Sequence, residues 1–453
     1  MAKTKIIFSC QNCDAQYVQW QGQCRDCGEW NTIVNGVAVK KSSHSRMLGF
    51  SWTSSIPIPT LLSNVNIQSQ PRLATGLAEF DHVLGGGLVS DSVVLIGGDP
   101  GIGKSTLLLQ ILCQIENNYS TLYITGEESL QQIAVRAQRL QLPKDKLTLL
   151  AETHVEQILS LTEKLHPQVM VVDSIQTVYT DSVPSAPGGV SQVRESAARL
   201  VQFAKQKGIA LFIVSHVTKE GAIAGPRVLE HMVDTVLYFE EKNDSRFRVI
   251  RAVKNRFGAV NEIGVFAMTH SGLKQVNNPS AIFLSRYEMP VSGSVITVTW
   301  EGSRPLLVEV QALVDESHLA NPRRVSVGLE QNRLSMLLAI LHRHGGVATY
   351  NQDVFVNAVG GLRITETGTD LAVLLAVLSS LRNKPLASDL IVFGEVGLAG
   401  EIRPVQSGQD RIKEAAKHGF KRAIVPKVNA PKFPSEEMEI IATDKLQTVL
   451  EKI

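Results

Sequence analysis

Val93-Val-Leu-Ile-Gly-Gly-Asp-Pro-Gly-Ile-Gly-Lys-Ser-Thr106 decides how this chain is read. A short apolar run of strand type enters a loop of Gly98, Asp99, Pro100, Gly101, Ile102, Gly103, Lys104, Ser105 and Thr106, and a leucine-rich helical pattern follows. That is the strand–loop–helix setting of a phosphate-binding P-loop. Glycines let the backbone curl so that its N–H groups face phosphate oxygens, and the helix start adds the positive end of its dipole. Lys104 is placed to reach the β- and γ-phosphates of ATP, and Ser105 to hold Mg2+. A merely glycine-rich turn gives no reason for Lys-Ser at this offset.

Working outward, hydrolysis needs a carboxylate on the metal side and a group that orients or deprotonates water. Val169-Met-Val-Val-Asp173 is a buried-type strand ending in an acid, so Asp173 is the Mg2+-side carboxylate. Thr121-Leu-Tyr-Ile-Thr-Gly-Glu127-Glu128 ends a second strand in two acids, and strand C-termini of a parallel sheet face the ligand crevice. Glu127 is the better base. Glu128, beside the next helix start, fits a dipole partner. His216, at the end of Phe212-Ile-Val-Ser-His, either senses the γ-phosphate or caps the strand. Lys254-Asn255-Arg256-Phe257-Gly258 follows an alternating strand, so Lys254 and Arg256 should share a face. They could reach a neighbouring subunit's ATP as an arginine finger, contact DNA phosphates, or form an ordinary basic hairpin.

The rest of the chain supplies a frame. At 453 residues it has length for about three domains. Hydrophobic content of 44% and charged content of 19% are those of a globular protein, and a net charge of +2 confines any nucleic-acid binding to local patches. No apolar run has the length of a membrane span, and no signal-peptide pattern opens the chain, which predicts a cytoplasmic protein without membrane contact. Cys10-x-x-Cys13 and Cys24-x-x-Cys27 offer four thiolates at zinc-knuckle spacing, so a zinc finger is expected over residues 1–34, with Trp20 and Trp30 packed around it. Disulfides or an iron site are the competing readings. Cys113 reads as a small core residue.

Residues 35–70 read as a linker, with Met47-Leu-Gly-Phe and Trp52 able to dock on a neighbour. Alternating strand and helix patterns from 71 to 271 predict a mostly parallel α/β sheet. From 272 to 453 the texture becomes α+β, with a hairpin near 295–314 and a core at about 350–453.

Taken together, several stretches resemble the RecA superfamily of ATPases. They are Arg72-Leu-Ala-Thr-Gly-Leu-Ala-Glu-Phe-Asp-His-Val-Leu-Gly-Gly-Gly-Leu-Val89, the P-loop and Thr125-Gly-Glu-Glu-Ser129. The four-cysteine motif, Ser215-His-Val-Thr-Lys-Glu-Gly221 and Lys254–Gly258 make the pattern similar to the bacterial RadA (Sms) family over essentially the whole chain. The resemblance implies a RecA-like core and ATP-dependent processing of recombination intermediates in DNA repair. It also implies DnaB-like helicase or branch-migration activity on single-stranded or branched DNA, a homo-hexameric ring and a RecA-type recombinase as partner. By the same resemblance Lys254 and Arg256 couple ATP to DNA, and Thr180–Val190 and Val217–Arg227 are DNA-facing loops.

Gly360–Ser380 and Gly394–Pro404 resemble the Lon protease domain. A working site of that kind needs a nucleophilic serine and an activating lysine. Here Thr369 or Asp370 stands at the serine's place and Gln409 where the lysine belongs, so no proteolysis is expected and assembly is the domain's implied role. An ATP-dependent protease or unfoldase, and a scaffold in which ATP drives only assembly, are the alternatives to a DNA motor.

Overall fold

A computed structural model describes residues 6–10, 16–17, 19–25, 27–30, 32–37, 61, 63, 72–115, 118–143, 145, 147–216, 226–240, 246–284, 289–432 and 438–453. The chain divides into two compact units, Met1–Pro57 and Ile58–Ile453.

In the first unit, β1 (Ile6–Cys10) pairs antiparallel with β2 (Gln16–Tyr17) and with β3 (Ile33–Val37). The third strand runs past residue 34, where the zinc finger was expected to end. The linker reading for 35–70 and the docking of Met47–Phe50 and Trp52 otherwise lie almost wholly outside the described residues.

The second unit opens with β4 (Arg72–Leu73), α1 (Ala78–Val83) and β5 (Leu88–Val89). A doubly wound run follows: β6 (Val93–Gly98), α2 (Lys104–Ile115), β7 (Thr121–Thr125), α3 (Leu130–Arg139), β8 (Thr148–Ala151), α4 (Val155–Leu165), β9 (Val169–Asp173), α5 (Val190–Lys207) and β10 (Ala210–His216). β11 (Thr235–Glu240), β12 (Phe247–Asn255), β13 (Ile263–Thr269) and β14 (Gly272–Gln275) complete a nine-stranded sheet ordered 14-13-12-11-6-10-9-7-8. The six strands from β11 to β8 are parallel, and the 12–13–14 edge is antiparallel.

The apolar runs of β6, β9 and β10 are unbroken because both sheet faces are covered. Val94, Ile96, Val171 and Phe212 pack with Leu107, Leu108 and Ile111 of α2 on one face. Their alternates Val93, Leu95, Met170 and Ile213 pack with Ile158 of α4 and Val193, Leu200 and Val201 of α5 on the other. Local signals fix the helix ends. Ser129 and Gln132 form a reciprocal capping box on α3, and Gly208 takes the left-handed conformation that ends α5.

A second sheet follows: β15 (Ser294–Glu301), β16 (Arg304–Glu316), β17 (Arg324–Val327), α6 (Gln331–Gly345), β18 (Gln352–Ala358), α7 (Asp370–Leu381), β19 (Leu390–Val392), β20 (Glu395–Val396), β21 (Ile402–Arg403), α8 (Gly408–Lys417), β22 (Arg422–Pro426), β23 (Glu439–Thr443) and α9 (Leu446–Leu450). Seven of these strands order as 17-18-16-15-19-22-23. The β15–β16 hairpin therefore stands at the centre of this sheet, well before the core expected from about 350. α7 is apolar on every side because it is buried on every side, against β15 and β16 among others.

Candidate nucleotide and coupling site

The P-loop begins where β6 ends. Gly101 and Gly103 take positive φ, 80° and 119°, which L side chains avoid, and this lets the loop curl back on itself. Lys104 is 3% exposed and donates to the Gly98 and Asp99 carbonyl oxygens, each at 2.8 Å. Burial lowers its pKa to about 8, against the opposing pull of Asp173, Glu127 and Asp99. An ammonium held over its own loop is ready to exchange two carbonyls for phosphate oxygens.

Asp173 lies at the end of β9, and its neighbour Thr125 ends β7 in direct register. The Tyr123 hydroxyl donates to Asp173 Oδ2, while the buried Oδ1 has no hydrogen-bond partner. Burial raises the Asp173 pKa, with the nearby Ser105 hydroxyl and the Tyr123 hydrogen bond opposing it. A buried carboxylate oxygen without a partner, beside a serine hydroxyl, fits a hard divalent cation that takes oxygen ligands. Tyr123 escaped the sequence reading because a tyrosine in an apolar strand looks like core.

Glu127, not Glu128, turns into the crevice. His216 Nε2 lies 3.0 and 3.2 Å from its two carboxylate oxygens, and the Ser174 hydroxyl donates to Oε1. The His216 bond is the main cause that lowers the Glu127 pKa, so the group stays an anion able to accept a proton from water. Glu128 pairs with Arg136 of α3 instead. His216 Nδ1 is 3.2 Å from Lys104 Nζ. Since an ammonium can only donate, Nδ1 accepts and Nε2 carries the proton toward Glu127. One imidazole thus joins the phosphate-binding lysine to the candidate base.

Lys254 and Arg256 stand on either side of buried Asn255. A bulge shifts the β11–β12 register between Val236 and Leu237, and Arg256 lies past the end of β12. Both still reach one segment. Lys254 Nζ donates to the Glu230 and Val233 carbonyls at 2.7 and 2.8 Å, and Arg256 Nη1 meets Asp234 Oδ1 at 3.1 Å. Asp234 is buried and also holds Lys205 Nζ at 2.6 Å and the Val93 amide at 3.0 Å. Arg256 remains 58% exposed. Asn255 is buried and binds the Phe257 amide through Oδ1, at 2.9 Å. Arg72 Nη2 donates to the Phe257 carbonyl at 2.6 Å. Gly258 lies in the bend after β12 and packs against Gly85, and the positive-φ residue of this segment is Asn261.

Of the two expected DNA-facing loops, Thr180–Val190 is described and Val217–Arg227 falls outside the described residues except Pro226 and Arg227. The first is tied down at its root: Gln192 of α5 donates to the Thr180, Val183 and Ser185 carbonyls, each at 3.0 Å.

In the ribbon, Cys24 is buried, and its backbone closes a turn with Gly28 and Glu29 at 2.9 Å each. Gly28 takes φ 75° there. This is a knuckle of the kind that presents two thiols, Cys24 and Cys27, to one ion. Cys13 and the side chain of Cys10 lie outside the described residues. Trp20 and Trp30 both lie beside Gly22, two residues before Cys24, a Cβ at Gly22 falling 4.0 and 3.8 Å from their rings, while they stay 59% and 66% exposed.

The Lon-like features are spent on structure. Asp370 is buried, pairs with Arg333 and accepts the Val396 amide at 3.1 Å. Thr369 is buried, and Gln409 donates to the Asn429 carbonyl at 2.7 Å. Neither threonine nor aspartate has a base beside it.

Three family models match the chain. One described as the KaiC ATPase covers residues 73–148 and 141–276, one for subunit ChlI of Mg-chelatase covers 327–429, and one for a rubredoxin metal-binding domain covers 8–35. The DNA repair protein RadA of Pseudomonas aeruginosa is 61% identical over 453 residues, with all of both chains covered. That of Escherichia coli is 57% identical with 99% of each covered, and that of Bacillus subtilis 49% identical with 95% of this chain and 94% of the relative covered. The chain belongs to the RadA family. It combines a RecA-like ATPase domain, an amino-terminal zinc ribbon and a carboxy-terminal ChlI/Lon-like domain. ATP, Mg2+ and Zn2+ are its cofactors. Among the described residues no helix is long and apolar enough to cross a membrane.

Proposed function

We propose that this RadA-family ATPase is a DNA-dependent motor of recombinational repair. It processes and branch-migrates recombination intermediates on single-stranded or branched DNA, in the manner of a DnaB-like helicase. It works as a homo-hexameric ring, beside a RecA-type recombinase, in the cytoplasm. The motor is the RecA-like domain through β14, which carries it past the expected boundary at 271 to Gln275; the residues after it to 453 form the assembly domain, and the zinc ribbon runs past the expected 34 to Val37, ahead of the linker.

One observation supports the ring reading above the others. Thr235 is in register with Asn255 on one side and with Val94, near the start of β6, on the other. The P-loop follows Gly98 at the far end of β6, about 13 Å further along the sheet. Lys254 and Arg256 therefore sit at the opposite end from their own chain's phosphate site. A coupling pair in that place serves a neighbour's ATP, across a head-to-tail interface of the kind that closes into rings. At its other end β12 touches its own P-loop, where Arg248 Nε donates to the Ile102 carbonyl at 3.2 Å. One strand spans both ends.

In this mechanism the backbone from Gly98 to Thr106 cradles the phosphates, and Lys104 leaves its carbonyls for the β- and γ-phosphate oxygens. Ser105 and Asp173 would hold Mg2+, which when bound would neutralise phosphate charge. Glu127 orients and deprotonates water, positioned by Ser174 and His216, and His216 senses the γ-phosphate as Lys104 moves away. Arg256 and Lys254 stabilise charge on the neighbour's transferring phosphate. The protease reading is disfavoured by the spent Thr369, Asp370 and Gln409, and casein degradation would revive it. ATP turnover with and without single-stranded DNA, joined to unwinding of a forked substrate, separates a motor from a scaffold.

A further inference from the structure

The turn between β15 and β16 carries two ion pairs into the ATPase domain, one to each side of the seat of the Lys254–Gly258 motif. On one side, buried Glu301 takes Arg251 Nη1 on its Oε2 at 2.7 Å, and Arg251 belongs to β12. The other face of the Arg251 guanidinium is fixed by Glu240 of β11 at 2.6 Å. On the other side, Arg304 grips Glu79 of α1 with both terminal nitrogens, at 3.0 and 2.8 Å, and also donates to the Ile263 carbonyl at 2.7 Å. Between them Gly302 lies so close to Glu262 that a Cβ there would fall 2.7 Å from the Glu262 Cα.

These two targets are not arbitrary. β12 runs from Arg251, through the bulge, to Asn255 at its end, and Arg256 follows. α1 runs from Glu79 into the Gly85 loop, which touches Gly258, and its Val83 carbonyl accepts from Asn255 Nδ2 at 3.4 Å. The hairpin is in turn rooted in its own domain. Glu366 accepts the Trp300 amide at 2.9 Å and is held by fully buried Arg411 through two 2.7 Å bonds. A continuous set of charged contacts thus leads from the interior of the Lon-like domain to both supports of the motif.

We propose that Glu301 and Arg304 are positioning residues for the Lys254–Arg256 pair: they clamp β12 and α1 so that the carboxy-terminal domain sets where Arg256 is presented to the neighbouring subunit. The assignment rests on the trans-acting reading of that pair. Neither residue touches nucleotide. Each acts by holding the element that carries, or backs, the finger.

The test is complementation in mixed assemblies of the full chain. Arg304→Ala has an intact ATP site and a misplaced finger, whereas Lys104→Ala has a crippled ATP site and a sound finger. Arg304→Ala alone should lose DNA-stimulated kcat by about tenfold or more, with KM for ATP and assembly size unchanged, as expected of a weakened finger. Mixed in equal amounts with Lys104→Ala, it should regain roughly a quarter of the parent rate, since about that share of interfaces joins a good site to a good finger. The control pair, Arg256→Ala with Lys104→Ala, should recover likewise. If Arg304→Ala does not fold, the same mixing is done with Glu301→Gln, which breaks the other leg of the clamp. Parent-level kcat in the clamp variants overturns the proposal, as does a loss that Lys104→Ala does not rescue while the Arg256→Ala control is rescued. If the control itself is not rescued, the trans-acting reading falls, and the clamp's role falls with it.

Discussion

Gly85 and Gly258 meet backbone to backbone. A Cβ on Gly85 would lie 2.9 Å from the Gly258 Cα, and one on Gly258 would lie 2.8 Å from the Gly85 Cα. The loop after α1 and the coupling motif are therefore fitted to each other backbone to backbone, with the Asn255 amide against both glycines. Gly258 has no positive φ, so its substitution tests contact alone. Gly258→Ala is expected to cost about 1–3 kcal/mol of stability, the usual range for overpacking, and to lower DNA-stimulated turnover several-fold by shifting Arg256. Chemical denaturation and steady-state ATPase assays check both. Parent-level turnover in a clearly destabilised variant would separate the contact from the coupling.

Lys104 is buried over two carbonyls, so its loss is not silent in the fold. Lys104→Ala is expected to lower stability by about 1–2 kcal/mol without nucleotide, since bonds from a charged donor are removed along with a buried charge. The larger effect is on ATP. Parent protein should gain thermal stability with Mg2+ and a non-hydrolysable ATP analogue, through binding to the native state only, and the variant should gain little. Thermal melts with and without the analogue decide it. Equal gains in both proteins would remove Lys104 from phosphate binding.

Glu127 is held by Ser174 and His216, and the proposed mechanism gives it the attacking water. Glu127→Gln should keep analogue binding within about twofold and lose hydrolysis by about a hundredfold or more, in the range of general-base removal. Glu128→Gln should leave turnover near the parent rate, because Glu128 faces Arg136. Single-turnover hydrolysis with matched binding curves checks the pair, and the reverse ranking would reassign the base.

The zinc ribbon is a unit of its own by contacts, with too little core to stand without metal. Chelation, or Cys24→Ser, should unfold only this unit and leave the ATPase melt in place. Metal analysis of the parent should find about one zinc per chain. Protein free of zinc, yet with an ordered ribbon by NMR, would refute the ligand assignment.

Much of this architecture was legible in the chain. The strands and helices from Val93 to Asn255 fall where β-rich runs and 3.6-residue periodicities put them, because a sheet covered on both faces leaves unbroken apolar runs at Val93–Ile96, Val169–Val172 and Leu211–Val214. The order of P-loop, Glu127 and Asp173 was legible because each chemical group sits at the end of such a run. Other features were hidden because they depend on pairings distant in sequence. Tyr123 matters only through Asp173 on another strand. The contact of Gly258 with Gly85 joins segments far apart in the chain. The contact of Arg256 with Asp234 was hidden because it joins two loops beyond the strand ends. Arg304 gave no local hint that its partner is Glu79, because no periodicity connects a hairpin turn to a helix so far upstream.

The most direct test of the central claim is one experiment on the full-length protein. ATP turnover is followed with and without single-stranded DNA, in parallel with unwinding of a forked substrate, for the parent, for Arg256→Ala and for their mixtures. The account expects DNA to raise the parent's kcat and unwinding to require hydrolysis. It expects Arg256→Ala to lose both the stimulation and the unwinding, to lower the turnover of mixed assemblies in proportion to its share, one finger per interface, and to lower their unwinding more steeply. Turnover indifferent to DNA, or ordinary unwinding by Arg256→Ala, would contradict it.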